Sequence, residues 1–388
     1  MGRIADEVMG KANVTRRRRE PLWSFSGISR FLSNQLGADE SGTIQFDRPL
    51  LLVGNPSSKS GRGAVKIEKV RALFKNLGVA YEFQSTLPSG RTADVVSEAI
   101  VKQKFQTVVY MGGDGTFNEV AKGICQSGKA REVKLGMLPS GTANDQGKSF
   151  GISSSIRALE KNVRTIAKGF TTNLDVGEVT ARSVRGNVLR RDLFFDSAGW
   201  GLSAAILAFR NHELEMIRRV PVVRDMYRDQ MVYIRAALRE VALSSVTRDR
   251  FNAKVEIDGR MIFMDSLTDL VINNTAVYAG DWIVGPKSGH NDGRFEVVPF
   301  RGVRDWTSKL ILHHKKVPLT ERMVNKIGVS HSPMYSGSRI KIEFEQSSRN
   351  KRILAQLDGE EFPPAYGFEI RVHPRMLNII VPKDFHWI

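Results

Sequence analysis

Hydrophobic and polar positions between residues 49 and 140 alternate between the spacing of strands and the spacing of helices. Strands that alternate with helices form a parallel sheet covered on both faces, so this part predicts a doubly wound α/β domain. The predicted strands are Leu50–Val53, Val79–Thr86, Gln106–Met111 and Val133–Leu138. The predicted helices are Val65–Leu77, Thr92–Lys104 and the segment containing Phe117, Val120, Ala121 and Ile124.

The pattern changes after about residue 174, where short strands separated by polar turns predict an all-β, sandwich-like C-terminal domain. A helical insertion at about 203–244 interrupts it. The sequence therefore divides into an extension (1–45), an α/β domain (46–174) and a β-rich domain (175–388). The predicted strands of the last part are Glu178–Val184, Asn187–Asp196, Arg250–Asp258, Leu267–Asn273, Phe295–Pro299, Ser338–Glu345, Ile353–Leu357 and Phe368–Val372.

Three loops of the α/β part are rich in Gly, Ser, Thr or Asn: Asn55–Gly63, Gly112–Thr116 and Pro139–Lys148. Each follows a predicted strand. Ligands of doubly wound sheets bind beyond the carboxyl ends of the strands, so these loops are expected to share one site.

The turn Gly112–Thr116 lies where a buried strand becomes a helix. Glycines let a ligand approach the backbone N–H groups, and a helix N-terminus favours a phosphate. Asp114 would repel a phosphate unless a metal ion or a transferred proton intervenes. The turn therefore indicates a nucleotide-phosphate site with a catalytic or metal-organising acid; the alternative is a glycine-rich turn with a capping aspartate.

The composition of the chain limits the kinds of partner and cellular compartment that we expect. The formal net charge of +17 predicts an anionic partner, which is nucleic acid, an anionic membrane surface or a phosphorylated substrate. The single cysteine, Cys125, excludes an internal disulfide framework and is typical of a reducing compartment. No apolar run has the length of a membrane span, and no secretory signal is expected. Zinc-binding, helix-turn-helix and RNA-binding motifs are absent from the sequence.

Two segments combine basic and apolar residues. The extension contains Arg16–Arg19 followed by spaced apolar residues, which is typical of a surface-seeking amphipathic segment or of a solvated tail. The insertion carries several arginines among apolar positions. It predicts either a helix packed on the sandwich or one wall of a lipid-access cleft that faces an anionic membrane.

Two motifs together resemble the diacylglycerol kinase catalytic family, which includes sphingosine and ceramide kinases. They are Gly112-Gly113-Asp114-Gly115-Thr116 and Leu138-Pro139-Ser140-Gly141-Thr142-Ala143-Asn144-Asp145. The sequence departs from the family pattern at Gln146–Lys148 and at Ser203, where the family frequently has an acid. Further similarities are Asn55-Pro56, Asp175-Val176-Gly177, Asp196–Gly201, Asn273-Asn274, Asn291-Asp292-Gly293 and Asp358-Gly359-Glu360.

The resemblance implies transfer of the γ-phosphoryl group of ATP to a lipid hydroxyl, with Mg²⁺. The N–H groups of the glycines and the hydroxyls of the threonines would bind phosphates or metal-bound water. Lys59 serves either the nucleotide or its own turn. The expected nucleotide-binding residues are Asn55, Lys59, Thr86, Gly112, Gly113, Asp114, Gly115, Thr116, Asn118, Glu119, Gly141, Thr142, Asn144 and Asp145.

Two acids compete for the role of general base toward the acceptor hydroxyl. By resemblance, Glu360 corresponds to the acid with this role in bacterial relatives, and Asp114 to the one favoured in sphingosine kinases. Our hypothesis is that Glu360 accepts the proton while Asp114 organises Mg²⁺ and the phosphates. Asp358 would orient Glu360 or help to hold the metal, or would simply form a β-turn before Gly359.

The resemblance also implies a structural Mg²⁺ site. Its ligands would be the Asp292 side chain and the main-chain carbonyls of Gly289 and Arg294. The alternative is an ordinary Asn-Asp-Gly turn.

The leading hypothesis is a cytoplasmic, peripherally membrane-associated lipid kinase, with diacylglycerol as the first acceptor and a sphingoid base or ceramide next. NAD kinases also carry a Gly-Gly-Asp-Gly turn, but the later motifs favour a lipid kinase. A catalytically inactive nucleic-acid-binding protein is the alternative from another class. The presence of Asp114, Asp358 and Glu360 argues against this alternative. Assembly as a homodimer stays open.

Overall fold

The computed structural model describes residues 48–58, 62–218, 250–275, 277–278, 282–283, 289–302, 305, 332–345 and 353–387. The predicted extension 1–45, residues 219–244 of the insertion, and Lys59 lie outside these residues. None of the helices in the described ranges is long and apolar enough to cross a membrane.

The first half folds as the alternation of strands and helices predicts. Its parallel strands lie in the order β2-β1-β3-β4, with the chain crossing between them through helices. The strands are β1 (Leu50–Gly54), β2 (Tyr81–Ser85), β3 (Thr107–Gly112) and β4 (Lys134–Pro139). The helices are α1 (Arg62–Asn76), α2 (Arg91–Gln103), α3 (Asp114–Gln126), α4 (Asp145–Ser149) and α5 (Leu159–Lys168), with a 3₁₀ turn at Ile156–Ala158.

Both faces of this sheet are buried. Apolar residues of α2 and α3, such as Val96, Ile100 and Ile124, pack on one face. Phe74 of α1 and Ile166 of α5 pack on the other. The near-continuous apolar sequence of β1 follows from this, because both sides of the strand lie in core.

The second half forms strands from β5 to β18, and its fold class is confirmed as all-β. They are β5 (Thr171–Arg182), β6 (Val188–Phe194), β7 (Ser197–Gly201), β8 (Phe251–Ile257), β9 (Arg260–Leu267), β10 (Asp269–Asn273), β11 (Val277–Tyr278), β12 (Trp282–Ile283), β13 (Phe295–Phe300), β14 (Tyr335–Gly337), β15 (Arg339–Phe344), β16 (Ala355–Leu357), β17 (Glu360–Phe362) and β18 (Gly367–Ile380). Within the described part of the insertion, α6 spans Leu202–Arg218.

A six-stranded sheet, β14-β13-β10-β7-β16-β17, faces the extended first sheet across a shared core. Trp200 of β7 is buried in this core, and its ring centroid lies 5.2 Å from that of Phe368 on β18. Alternate residues of each strand point into this layer, as in other sandwiches.

The last strand, β18, joins the two halves into one sheet. It pairs antiparallel with β5 from Gly367 to Ile380 and with β15 near its start, and parallel with β4 near its end, where Ile379 lies opposite Leu135. The resulting ten-stranded sheet runs across the predicted boundary between residues 174 and 175. The sequence pattern predicted β18 only as far as Val372 and did not predict β7, β9, β11, β12, β14 or β17.

One buried acid fixes the start of α6. Asp269, at the beginning of β10, is fully buried, and its Oδ1 accepts a hydrogen bond of 3.0 Å from the Ser203 hydroxyl in the first turn of the helix. Burial raises the pKa of Asp269 to about 7, and hydrogen bonds from Ser203 and Leu270 only partly oppose this effect. A carboxylate at a helix N-terminus is favourable, but its desolvation is costly.

We expect the buried Asp269 to make the protein less stable as the pH rises from about 4 to about 7. An acid whose pKa is raised by folding binds more protons in the folded state, so the free energy of unfolding falls through this window. The effect amounts to at most about 4 kcal/mol, at about 1.4 kcal/mol for each pKa unit. Urea unfolding at several pH values measures how the free energy of unfolding depends on pH. Asp269→Asn should remove the decrease between about pH 4 and pH 7.

Asp265→Asn is the matched control, because Asp265 lies on the neighbouring strand β9 with a well-exposed side chain. An unchanged slope in Asp269→Asn, or an equal change in the control, would contradict the assignment to Asp269.

Candidate functional site

The second and third of the three loops meet because β3 and β4 are parallel neighbours, with Gly112 opposite Pro139. Gly113 and Gly141 touch backbone to backbone: a Cβ added to Gly141 would lie 2.5 Å from the Cα of Gly113. The Ser140 N–H donates to the Gly112 carbonyl at 2.7 Å. Only glycines allow this approach, so the two loops form one backbone surface at the carboxyl edge of the sheet.

Asp114 fastens this surface. It is the first residue of α3, and its Oδ2 accepts the Asn144 N–H at 2.8 Å while its Oδ1 lies 3.4 Å from the Gln146 nitrogen. Asn144 has a positive φ of 55°, and its side-chain oxygen accepts the Gly141 N–H at 2.8 Å. The carboxylate therefore joins the turn before α3 to the loop before α4.

The first loop reaches the same edge. Asn55 follows β1 directly, and the Thr86 N–H donates to the Gly54 carbonyl at 3.0 Å, just beyond β2. The Asn55 side-chain oxygen accepts the Ser57 N–H at 2.9 Å, so it also shapes its own turn.

The remaining predicted nucleotide-binding residues differ in accessibility. Thr142 is exposed, and Thr116 and Glu119 are half-buried near the start of α3. Asn118 and Asp145 are buried at 3% and 8% exposure. Their side chains therefore face the packed interior, and they support the loops from behind.

Glu360 reaches this surface from the β-rich half. It begins β17, and its Oε1 would lie 3.9 Å from a Cβ added to Gly115 in the first turn of α3. Desolvation raises the pKa of Glu360, Lys122 and Arg190 lower it, and Glu119 and Asp192 raise it. The structure thus brings together Glu360 and the glycine turn, which are about 245 residues apart in sequence.

Asp358 holds the hairpin that presents Glu360. With φ of 50° at Asp358 and 76° at Gly359, the two residues form the tight turn between β16 and β17. The Asp358 carboxylate accepts three backbone N–H groups, from Phe195 at 2.9 Å, Asp196 at 2.8 Å and Ser197 at 3.0 Å. Desolvation nevertheless raises its pKa to about 6.

Lys122 was missed by the sequence reasoning. Its ammonium lies 2.8 Å from the Asp192 carboxylate, which also pairs with Arg190 at 3.0 Å. Lys122 lowers the pKa of Asp192, Asp358 and Glu360 through its charge. The sequence could have indicated Lys122 through its position two helical turns after Asp114, because residues eight apart on a helix lie on the same face.

Asp196 was noted only as part of a motif, yet its carboxylate is close enough to three other carboxylates to be affected by their charges. Desolvation raises its pKa well above the usual range, and the charges of Asp145, Asp358 and Asp114 raise it further. Its side chain accepts a hydrogen bond from the Thr275 hydroxyl. Such a group of acids behind a phosphate-sized turn is suited to a nearby cation.

The predicted metal residues form a turn beside β5. Asp292 Oδ1 accepts the Arg294 N–H at 3.0 Å, and the carboxylate packs against the Cα of Gly289. The neighbouring Asp175 accepts the N–H groups of Gly293 and Arg375, and the charge of Asp292 contributes to its raised pKa. One carboxylate with main-chain carbonyls is a donor set that Mg²⁺ accepts, although the described ranges contain no group of three or more His, Cys, Asp or Glu side chains placed to hold a metal ion.

Comparison with known families agrees with the motifs. The sequence model of the diacylglycerol kinase catalytic domain matches residues 49–179. Diacylglycerol kinases of Staphylococcus aureus strains JH9 and Newman are 32% identical over 133 residues. The matched stretch spans 34% of this chain and 40% of each of those relatives. The resemblance inferred from the motifs is therefore confirmed over this stretch.

Solved structures extend the likeness of the fold to most of the chain. A diacylglycerol kinase from Bacillus anthracis str. Sterne has a TM-score of 0.59 at 18% identity, covering 86% of this chain and 97% of that one. Another structure from the same strain has the same TM-score at 17% identity and the same coverage. The two-part architecture is thus shared with these proteins.

We expect Gly141→Ala to destabilise the protein, because the added methyl group would collide with the backbone of Gly113. A backbone atom cannot move aside as easily as the end of a flexible side chain. Overpacking of this kind costs about 1–3 kcal/mol. Gly115→Ala is the matched control, since its Cβ finds only an ordinary contact and an alanine in a helix is favoured by up to about 1 kcal/mol. Denaturant unfolding measures both, and equal stabilities for the two variants would show that the glycine contact is not required.

Proposed function

We propose that the protein is an ATP-dependent lipid kinase that transfers the γ-phosphoryl group to the hydroxyl of a lipid, with diacylglycerol as the first candidate acceptor. The observation that carries this proposal is the convergence of two loops from the α/β half with one acid from the β-rich half. Glu360 lies beside Gly115, within the turn whose sequence resembles the phosphate-binding turn of the diacylglycerol kinase catalytic family.

The phosphates of the nucleotide would lie on the backbone surface formed by Gly113 and Gly141. The first N–H groups of α3 have no partner within the helix and carry its positive dipole end. Thr116 and Thr142 add hydroxyl groups at the rim of this surface. Asn55 and Thr86, at the neighbouring strand ends, would flank the nucleotide.

The Glu360 carboxylate would act as general base. It accepts the proton of the lipid hydroxyl, and the resulting oxygen attacks the γ-phosphorus while the bond to the bridging oxygen of ADP breaks. An acid suits this role because its raised pKa brings its basicity closer to neutral pH. Asp114 is the poorer candidate, since its oxygens already face the N–H groups of Asn144 and Gln146.

Mg²⁺ is the expected metal, and when bound it neutralises charge on the phosphates. The acids around Asp196 provide the negative environment for it, with Asp114 at the start of α3 as the acid closest in the chain to the phosphate turn. Asp292, with the carbonyls of Gly289 and Arg294, remains our proposed structural site. These assignments rest on donor chemistry.

The acceptor class follows from the diacylglycerol kinase resemblance, and the choice of lipid is open to a direct test. Purified protein incubated with γ-labelled ATP and a panel of diacylglycerol, sphingosine and ceramide should label diacylglycerol most strongly. We also infer that the protein works at the cytoplasmic membrane face. Label in none of the lipids would contradict the proposed function.

We expect Glu360→Gln to lower turnover by roughly 10²–10⁴-fold, which is the usual contribution of a general base. ATP affinity should stay close to that of the parent protein, because the amide keeps the shape of the side chain. Asp114→Asn should instead weaken ATP binding, since its NH₂ group would face a backbone donor and loosen the two loops. Equilibrium ATP binding measured beside steady-state turnover separates the two effects.

Glu361→Gln is the control for Glu360→Gln, because Glu361 is the adjacent exposed acid and bonds only to Asn211 among the described contacts. Near-normal turnover in Glu360→Gln would show that the base is another group.

We expect Lys122→Met to shift the acidic limb of the kcat/KM profile toward higher pH. Its ammonium lowers the pKa of Glu360, so its removal leaves the base protonated over a wider range. Lys129→Met, just beyond the same helix and paired with Glu132, should leave the profile in place. An unshifted acidic limb in Lys122→Met would separate Glu360 from the titration that controls the rate.

A further inference from the structure

The tip of the β5–β6 hairpin exposes an unusual amount of apolar surface. Val184, Val188 and Leu189 have exposures of 65%, 51% and 53%. Across the described ranges, no other six-residue stretch has three large hydrophobic side chains this exposed. Scattered single apolar residues are normal on a surface, whereas a group of them indicates an interaction site.

The hairpin tip is also basic. Residues 182–191 contain Arg182, Arg185, Arg190 and Arg191 and no acid. Arg185 makes no hydrogen bond or ion pair with any residue that the structure describes. Arg182, Arg190 and Arg191 are paired with carboxylates at the base of the hairpin, which leaves Arg185 as the unpaired cation among the exposed aliphatic side chains of the described hairpin. Aliphatic side chains beside an unpaired arginine match a membrane surface, which is apolar beneath a layer of anionic head groups.

Hydrogen bonds hold the turn in a defined conformation, in which these apolar side chains stay exposed to solvent. The Ser183 N–H donates to the Asn187 carbonyl at 2.9 Å, and the Gly186 N–H donates to the Ser183 carbonyl at 2.8 Å. The Arg182 guanidinium donates to the Gly186 carbonyl at 2.9 Å and pairs with Glu369 of β18. The apolar residues therefore project from a braced turn.

The base of the same hairpin reaches the candidate site. Arg190 lies over the ring of Phe362 in β17, 5.3 Å from its centroid, and pairs with Asp192. Asp192 binds Lys122, and both Arg190 and Asp192 influence the pKa of Glu360. The exposed Val188 and Leu189 therefore lie on β6 directly before Arg190, the residue of this strand that influences Glu360.

We propose that the β5–β6 hairpin tip docks on an anionic phospholipid bilayer, with Val184, Val188 and Leu189 entering the interface and Arg185 contacting lipid phosphates. This deepens the proposed function, because the hairpin would bring the mouth of the site beside Glu360 to the membrane that holds the acceptor. The docking itself requires neither ATP nor catalysis.

The test measures co-sedimentation of the full chain with vesicles of phosphatidylcholine, with and without phosphatidylglycerol. The parent protein should bind the anionic vesicles. One basic residue near such a surface is worth about a fivefold change in partitioning, so Arg185→Glu should weaken binding about fivefold or more. Val184→Ser with Leu189→Ser should weaken it through lost apolar burial, by about fivefold or more.

Matched controls lie elsewhere on the same sheet. Met261 and Phe263 of β9 are also exposed apolar residues, at 41% and 68%, so Met261→Ser with Phe263→Ser removes similar surface away from the hairpin. Arg339→Glu reverses an exposed arginine of β15. Both controls should bind anionic vesicles as the parent protein does.

Three results would overturn the proposal. Parent-like vesicle binding by both hairpin variants would remove the hairpin from the interface, and equal losses in the controls would reduce binding to general attraction by a basic protein. Competition by inorganic phosphate or duplex DNA as strong as the effect of Arg185→Glu would also overturn it, because Arg185 would then recognise phosphate groups without a bilayer.

A second readout separates this proposal from the proposed function. Phosphoryl transfer to a water-soluble short-chain diacylglycerol should be the same in the hairpin variants and the parent protein. If no protein transfers label while vesicle binding depends on the hairpin, the docking surface stands and the kinase proposal fails. Reduced transfer to the soluble acceptor in the hairpin variants would instead contradict the assignment of the hairpin to docking alone.

Discussion

The contact between Gly113 and Gly141 is the constraint on which the site depends. Two parallel strands end side by side, and the loops that leave them can share one backbone surface only if neither carries a side chain at that point. Asp114 then bonds across the contact to the Asn144 N–H at 2.8 Å. The acid that seemed out of place beside a phosphate thus acts, in part, as the link between two phosphate-facing loops.

The β-rich half completes the surface through strand pairing rather than through a flexible linker. β18 pairs with β4 of the first half and with β5 and β15 of the second, so the sheet itself fixes the relative position of the halves. Asp358 then holds β16–β17 against the turn at residues 195–197 by three hydrogen bonds. Glu360 begins the second strand of this hairpin, so strand pairing limits the conformational freedom of its backbone.

Sequence reasoning located the strands β1–β4, the helices α1–α3 and the glycine loops from local patterns, but it missed α4 and α5. The Asp358–Gly359–Glu360 turn was identified only by its resemblance to a family motif. Sequence reasoning did not locate the end of β18, since residues 373–380 pair with strands more than 200 positions away. Lys122 escaped notice for the same reason: its partner Asp192 lies on a strand of the other half. The local periodicity of the sequence identifies strands and helices, whereas the partner of a charged side chain can be identified only once the order of the strands is known.

The electrostatic arrangement explains why acids with different roles coexist within one site. Asp358 has its charge stabilised by three N–H groups and Asp114 by the loop before α4, so both are structural anchors as well as acids. Glu360 has no such backbone donors among the described contacts, and only the charges of Lys122 and Arg190 offset its desolvation. A carboxylate without committed hydrogen bonds is the one whose oxygen is free to take a proton. Hydrogen bonding therefore distinguishes Glu360 from Asp114 and Asp358. The charges that lower its pKa come from Lys122 of α3 and Arg190 of β6.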